Sequence, residues 1–438
     1  MEWKFEPLGD IAFMTSGGTP NSKISAYYEN GTIPWVRSGE LENRAIRDTE
    51  IKITQAGLDN SSAKIFPKGT LLIALYGATI GKLAYLDIDA CTNQAVCGIF
   101  ENDKVSLKYL YYFLLFHRPD LVKQGVGGAQ SNISQTILKK LMVSYPVDKA
   151  EQLRIVARIE ELFSELDNGV ETLRKTKQQL AVYRQAVLKN AFEGVFTRGW
   201  RADNREFTAE KIWLEIVEKK KQCKNLKVYE LEESIQLCSL PKSWKWVNVG
   251  DISRGPEYGT SQKSREEGKI PVIRMGNLQN GIIDWRDLVF SNDDDEIEKY
   301  RLIPGDVLFN RTNSPELVGK TAVYRGEQEA IFAGYLIRIN QFDCINAEYL
   351  AYYMNSFTAK QYGNKVKTDG VNQSNINGKK LCSYPFPLCS QEEQAQVVYE
   401  LESRLSVCDS IEKTADTALQ QAEAMRQSIL KQAFEGRL

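Results

Sequence analysis

Apolar positions along the chain follow two different periods, and each period occurs twice. In residues 1–149 and 239–390 the apolar runs are short and broken by Gly, Pro and Asn. TIPWVRSG, GTLLIALYG and KLAYLDI lie in the first stretch; KIPVIRMG, GDVLFNR and KTAVYRG lie in the second. Such runs with such punctuation predict strands joined by loops. A helical stretch closes each set, SLKYLYYFLLFH in one and NAEYLAYYMNSF in the other. Each stretch therefore predicts a mixed α/β domain.

The tails behave differently. In residues 150–194, Val156, Ile159, Phe163, Leu166, Val170, Leu173, Leu180 and Val187 step by three and four, with Lys177 and Arg184 at two seam positions. In residues 391–438 the seam reads Val398, Leu401, Leu405, Cys408, Glu412, Ala415, Leu419, Ala422, Arg426 and Ile429. No proline interrupts either seam, so each predicts a long coiled-coil helix. About 44 residues would make a rod of roughly 66 Å. The connector between copies, residues 195–238, predicts a partly helical segment whose lysine run either sits near DNA backbone or, the favoured reading, is solvated.

The two halves are also alike residue by residue. RQAVLKNAFEG (184–194) returns as RQSILKQAFEG (426–436), at an offset of 242 with eight of eleven positions identical. WKFEPLGDI (3–11), IPWVRSGEL (33–41), QSNI (130–133) and KKLMVSYP (139–146) return as WKWVNVGDI (244–252), IPVIRMGNL (270–278), QSNI (373–376) and KKLCSYP (379–385). A repeat this long is a duplicated domain with its tail, not a solenoid unit. QSNI recurs in both copies, so it is expected to brace the domain.

Charge at the seam sets the direction of the two helices. Parallel and in register, Arg184 would face Arg426, a like-charge layer without a partner. Antiparallel, the arginines go to opposite ends, where they can snorkel, and Lys177 comes within about one helical turn of Glu412. The expected fold is α+β: two mixed α/β domains, each followed by a long helix, the helices forming an antiparallel coiled coil with a pseudo-twofold repeat.

Composition narrows the function. Fifty-six Lys and Arg against 57 Asp and Glu leave a net charge of −1, which excludes a chain basic throughout but not a local positive surface. The N-terminus MEWKFEPLGD has acids and no apolar signal core, so a cytoplasmic chain is expected. Eight cysteines without a CxxC predict reduced thiols rather than disulfides or zinc. The single histidine, His117, reads as a packed helix residue.

Motifs for catalysis are missing. No Pro-Pro exists for the base-holding loop of an adenine methyltransferase. GVGGAQ (125–130) follows a helix rather than a strand, GATIGK (77–82) is a residue short of a phosphate loop, and VGKT (318–321) has Ser314 in place of the first glycine. Pro119-Asp120 lacks the acidic and lysine partners of a common nuclease pattern. No catalytic residue and no metal site are expected. Two similar domains on a rod instead suit a reader of two unlike half-sites on a duplex, spaced by the helices. Candidate DNA contacts are Thr19, Asn21, Lys23, Arg37, Tyr76, Thr79 and Lys82 in the first domain. In the second they are Tyr258, Gln262, Lys263, Arg274, Asn310, Arg311, Asn313 and Lys320. These types suit base edges and phosphates. A coiled-coil scaffold between two protein-binding domains is the alternative.

GGTP near the start, LPKSWKWVNVGDI opening the second copy, FNRTNSPELVGK and the paired LKxAFEG tails make the chain resemble the specificity subunit of type I restriction-modification systems. The likeness covers the whole chain. The first copy departs from the pattern in having no Leu-Pro before its tryptophan. The resemblance implies two target recognition domains, each reading half of a split DNA sequence, and antiparallel spacer helices docking two modification subunits. It implies S-adenosylmethionine on those subunits, ATP and magnesium on restriction subunits, and no catalysis or cofactor in this chain.

Overall fold

A computed structural model describes residues 2–124, 132–222, 229, 237–279 and 281–438. The chain divides into two compact units, Met1–Arg174 with Asp416–Leu438, and Lys175–Ala415.

In the first unit a five-stranded sheet runs in the order Met14–Ser16, Val96–Ile99, Leu71–Ala74, Leu83–Leu86, Arg44–Ile46. A four-stranded sheet follows the order Lys52–Ile53, Ile33–Val36, Ala90–Thr92, Ile65–Phe66. Leu71–Ala74 is buried at every position, which is why LLIA is continuously apolar instead of alternating. The second unit has a four-stranded sheet, Ser253–Tyr258, Leu336–Gln341, Val307–Asn310, Thr321–Val323, and a three-stranded one, Val289–Ser291, Ile270–Ile273, Ile331–Phe332.

The repeat extends to strand register. Trp35 and Val36 lie opposite Cys91 and Thr92 in a parallel pair, and Val272 and Ile273 lie opposite Ile331 and Phe332 in another. Trp3–Pro7 pairs with Met142–Pro146, and Lys245–Asn248 with Pro385–Leu388, so each domain's last strand pairs with its first. One element differs. Leu107–Gln124 is a single helix, whereas its counterpart is split into Ala347–Met354 and Phe357–Val366. Asn355 and Ser356 cause the break: the Asn355 side-chain amide donates to the Thr321 carbonyl at 2.8 Å, and Ser356 caps the next helix.

The long helices are Lys149–Phe192 and Gln391–Phe434, 44 residues each. Within the first unit, Arg154 donates to the Leu438 carbonyl at 3.3 Å, and Arg426 pairs with Asp167. Within the second, Lys177 Nζ is 4.0 Å from Glu412 Oε1, and Arg184 is 2.6 Å from Asp409 and 2.9 Å from Glu412. Numbers rise on one helix as they fall on the other, so the pairing is antiparallel in each unit. Val156, Ile159, Val398, Leu401 and Ile429 are buried. Phe163, Leu166, Val170, Leu173, Lys177, Leu180, Leu405, Glu412 and Leu419 are half-buried. The expectation that Arg184 and Arg426 snorkel is corrected. Each stays at the helix pair, 26% and 24% exposed, because an aspartate on the opposing helix meets it.

Each tail closes a domain. Phe434 packs edge-on against Tyr109 and Phe113, with centroids 5.3 and 5.2 Å away. Phe192 does the same against Tyr349 and Tyr353, at 5.2 Å in both cases. Two buried glutamines fix the starts of the helices. Gln152 donates to the Lys104 and Pro146 carbonyls and accepts from the Ser106 amide. Gln394 donates to the Cys344 and Cys389 carbonyls and accepts from the Asn346 amide.

The connector holds helices Arg198–Asp203 and Ala209–Gln222, the latter burying Ile212 and Ile216 in the second unit's core. Its lysine run is not wholly solvated. Lys220 is 4% exposed and donates to the Gly250 carbonyl at 2.8 Å and to Asp251 at 3.2 Å. The rest of the run, from residue 223, lies outside the described residues. Among the described residues no helix is long and apolar enough to cross a membrane. His117 packs between the rings of Phe113 and Phe116, and burial pushes its imidazole below the usual range.

Candidate nucleic-acid interface

Parallel pairing brings two strand ends of the first domain together. After Val36 comes Arg37; after Thr92 comes the turn Asn93-Gln94-Ala95. The Asn93 amide donates to the Val36 carbonyl at 2.9 Å, and the Val96 amide closes the turn onto Asn93 at 3.1 Å. The loop after Ser16 arrives here too, with the Gly18 amide donating to the Thr92 carbonyl at 2.9 Å. A Cβ at Gly17 would lie 2.0 Å from the Thr92 carbonyl oxygen, and one at Gly18 2.2 Å from the Ser62 hydroxyl. GGTP is therefore a demand for close backbone approach.

The turn gathers side chains. The Thr19 hydroxyl bonds the side-chain oxygen of Gln94. The Tyr76 hydroxyl donates to the Gln94 carbonyl at 2.6 Å, and burial pushes its phenol up, so it stays a neutral donor. Beside the turn opens a cleft of about 1100 Å³, lined among others by Arg37, Arg44, Arg47, Asn93, Glu40, Glu42 and Glu50. Its arginines are paired: Arg37 with Glu50, Arg44 with Glu42 at 2.7 Å, and Arg47 with Asp87 at 3.4 Å.

The second domain repeats the frame with other side chains. The Ala333 amide donates to the Ile273 carbonyl, the Leu336 amide to Ala333 and the Thr260 amide to Phe332, each at 2.9 Å. Gly334 takes the place of Gln94. Its carbonyl accepts from Arg311 at 3.2 Å, and the same guanidinium lies 4.9 Å from the Tyr258 ring centroid. Arg274, at the strand end equivalent to Arg37, pairs with Asp287 at 3.2 Å. Tyr335 next to the turn is 54% exposed.

Residues 1–180, and again 241–421, match the type I restriction modification DNA specificity domain. The chain belongs to that family. The EcoKI specificity subunit of Escherichia coli (strain K12) is 25% identical over 449 residues, covering 100% of this chain and 89% of that relative. The StySPI specificity subunit of Salmonella potsdam is 23% identical with the same coverage. Two solved structures share the fold. One, described as the structural basis of complex assembly and conformational transition of the type I R-M system, has a TM-score of 0.72 at 17% identity, covering 100% of this chain and 98% of that one. The HsdS subunit from Thermoanaerobacter tengcongensis has a TM-score of 0.55 at 16% identity, covering 100% and 97%. Membership of a DNA specificity family does not favour the protein-binding scaffold.

In this DNA specificity chain the structure sorts the sequence candidates. Thr19, Arg37 and Tyr76 meet around residues 93–95, and Tyr258, Arg274 and Arg311 around 333–335. Asn21 accepts from the Lys23 amide at 3.1 Å, and both are exposed in the preceding loop. Thr79 and Lys82 sit in a hairpin return, the Lys82 amide donating to the Thr79 carbonyl at 2.9 Å. Gln262 and Lys263 are exposed. Asn313 accepts from the Ser314 amide at 2.8 Å, and Lys320 donates to Gln279 at 2.9 Å. Asn310 is corrected: it is 0% exposed, enclosed in the end of a core strand, so it cannot reach DNA in this structure. The bracing reading of QSNI fits its described residues. Asn132 bridges to Tyr76, Asn375 lies opposite Thr312, and Ile133 and Ile376 are buried. Gln130 and Ser131, like GVGGAQ, lie outside the described residues. Sequence reading passed over Asn93, Gln94 and Tyr335. The available signal was that TNQA aligns with FAGY between strands that both copies keep apolar.

Proposed function

We propose that this chain is the address-reading subunit of a type I restriction-modification complex, each α/β domain reading one half of a bipartite, asymmetric DNA target. The observation that carries the proposal is one backbone frame built twice with unlike edges, Asn93-Gln94-Ala95 in one copy and Ala333-Gly334-Tyr335 in the other. A repeated frame with different reading side chains suits a target of two different halves. The long helices dock two modification subunits, which carry S-adenosylmethionine and methylate adenine. Restriction subunits carry ATP and magnesium and cut unmodified DNA. The chain itself supplies no catalysis, and the complex works in the cytoplasm.

The test is a domain exchange. Residues 1–149 are replaced by the equivalent domain of a family member with a different target, and methylated adenines are mapped across a genome. The expected result is a change in one half of the motif, with the other half and the spacing kept. A change in both halves at once would refute independent reading. Duplex binding by the assembled complex should also weaken steeply with salt, as phosphate neutralisation requires. Salt-independent binding would count against a DNA interface.

A further inference from the structure

We propose that Gln94, held by Thr19, is a specificity-determining residue of the first domain, reading an adenine in its half-site. The inference rests on the DNA-reading function above and adds the residue and the base.

The two domains share one backbone frame at this turn. Both turns are closed by the same bonds, from residue 96 to 93 and from 336 to 333, and both are tied to the neighbouring parallel strand. Both also receive a donor on the carbonyl of the middle residue, Tyr76 in one and Arg311 in the other. The frame is thus set by backbone and by buried strands. The side chain of the middle residue takes no part in it: Gln94 is exposed, and its counterpart Gly334 has none. A side chain that closes no part of that backbone frame, present in only one of two equivalent positions, belongs to what differs between the domains. That difference is the half-site.

The chemistry points to adenine. An amide offers an acceptor and a donor side by side, matching the amino group and ring nitrogen on the major-groove edge of adenine. The Thr19 hydroxyl occupies one lone pair of the Gln94 side-chain oxygen. The second lone pair and both amide hydrogens stay available. Thr19 therefore fixes the side chain's orientation without consuming its reading capacity, which lowers the entropy lost on contact. The arginines of the adjoining cleft already face carboxylates. A neutral amide on the adjoining turn reads by hydrogen-bond pattern rather than by net charge.

The experiment uses the full chain assembled with its modification subunits. Wild type first establishes the motif by mapping methylated adenines, which tests DNA reading itself. Gln94→Ala should then relax one base pair in one half of that motif, leaving the other half and the spacing unchanged. In competition binding, discrimination at that pair should fall about five- to a hundred-fold. Gln94→Glu keeps the shape but loses the donor, and should shift preference from adenine toward cytosine, whose amino group a carboxylate accepts. Thr19→Val should relax the same position less, and Thr19→Ser should restore it. Because Gln94 is exposed, Gln94→Ala should melt like wild type. Undiminished stringency at every position in a folded Gln94→Ala complex would overturn the proposal, and so would an equal loss of affinity for all sequences.

Discussion

Arg184 reaches across the helix pair to Asp409, nitrogen to oxygen 2.6 Å. Arg426 and Asp167 form the equivalent pair in the other unit. The repeat offset relates Arg184 to Arg426 and Asp167 to Asp409, so each arginine meets the aspartate of the other copy. A parallel, in-register arrangement would set arginine against arginine. The charges that favour one direction are therefore the ones that disfavour the other.

Arg184→Met should destabilise the chain by about 1 kcal/mol, because the pair is only half enclosed and partly screened. Arg184→Asp should cost more, and adding Asp409→Arg should recover part of that loss. Urea unfolding of the two single variants and the double variant measures the coupling. A coupling of zero would remove the pair from any account of helix direction.

Lys177 and Glu412 test the same register with a different partner set. Lys177→Glu should lower the melting temperature by placing two carboxylates together. Glu412→Lys should lower it further, since Glu412 also accepts from Arg184 at 2.9 Å. The double exchange should recover only part, because Arg184 then faces a lysine. Thermal melts at low and high salt check this, with smaller differences expected at high salt.

Gln152→Leu should cost about 2–4 kcal/mol, although leucine fits the volume and is apolar. The change strands two carbonyls and one amide that Gln152 satisfies in a fully buried position. Gln394→Leu should cost a similar amount, since Gln394 makes the same three kinds of bond. Denaturation that leaves either variant as stable as wild type would show that water replaces the lost partners.

His117 gives a pH prediction uncluttered by other histidines, the sequence having one. Burial lowers its folded pKa below the unfolded value. Its contribution is therefore fully present above the unfolded pKa and is lost as pH falls through the folded one. Comparing melts of wild type and His117→Gln from neutral to mildly acidic pH isolates it. The wild type should lose stability faster on acidification. Parallel curves would show that the imidazole stays hydrated.

Much of the architecture is legible in sequence. The short strands, the unbroken seams and the duplicated motifs all follow from local spacing, and the Lys177–Glu412 contact follows from charge position along two helices. The reading edge was hidden. Gln94 looks like a polar loop residue until parallel pairing of Ile33–Val36 with Ala90–Thr92 ties its turn to the strand end before Arg37, where Thr19 and Tyr76 bond to it. Strand partners far apart in the chain leave no local signature. Asn310 and Lys220 misled for the opposite reason: polar residues read as accessible, yet a core strand and a facing Asp251 enclose them.

By itself the sequence determined that two copies of a domain and a long helix exist, and that the helices run against each other. Tertiary structure alone decided where each tail docks. LKNAFEG and LKQAFEG are nearly the same peptide, and the aromatic faces at Tyr109 and Tyr349 are nearly the same receptor. Local chemistry would accept either match. Phe192 lies against Tyr349 of the domain that follows it, and Phe434 against Tyr109 of the first domain. With nearly identical peptides and nearly identical faces, the choice rests on contacts between residues far apart in the chain, which no local stretch of sequence encodes.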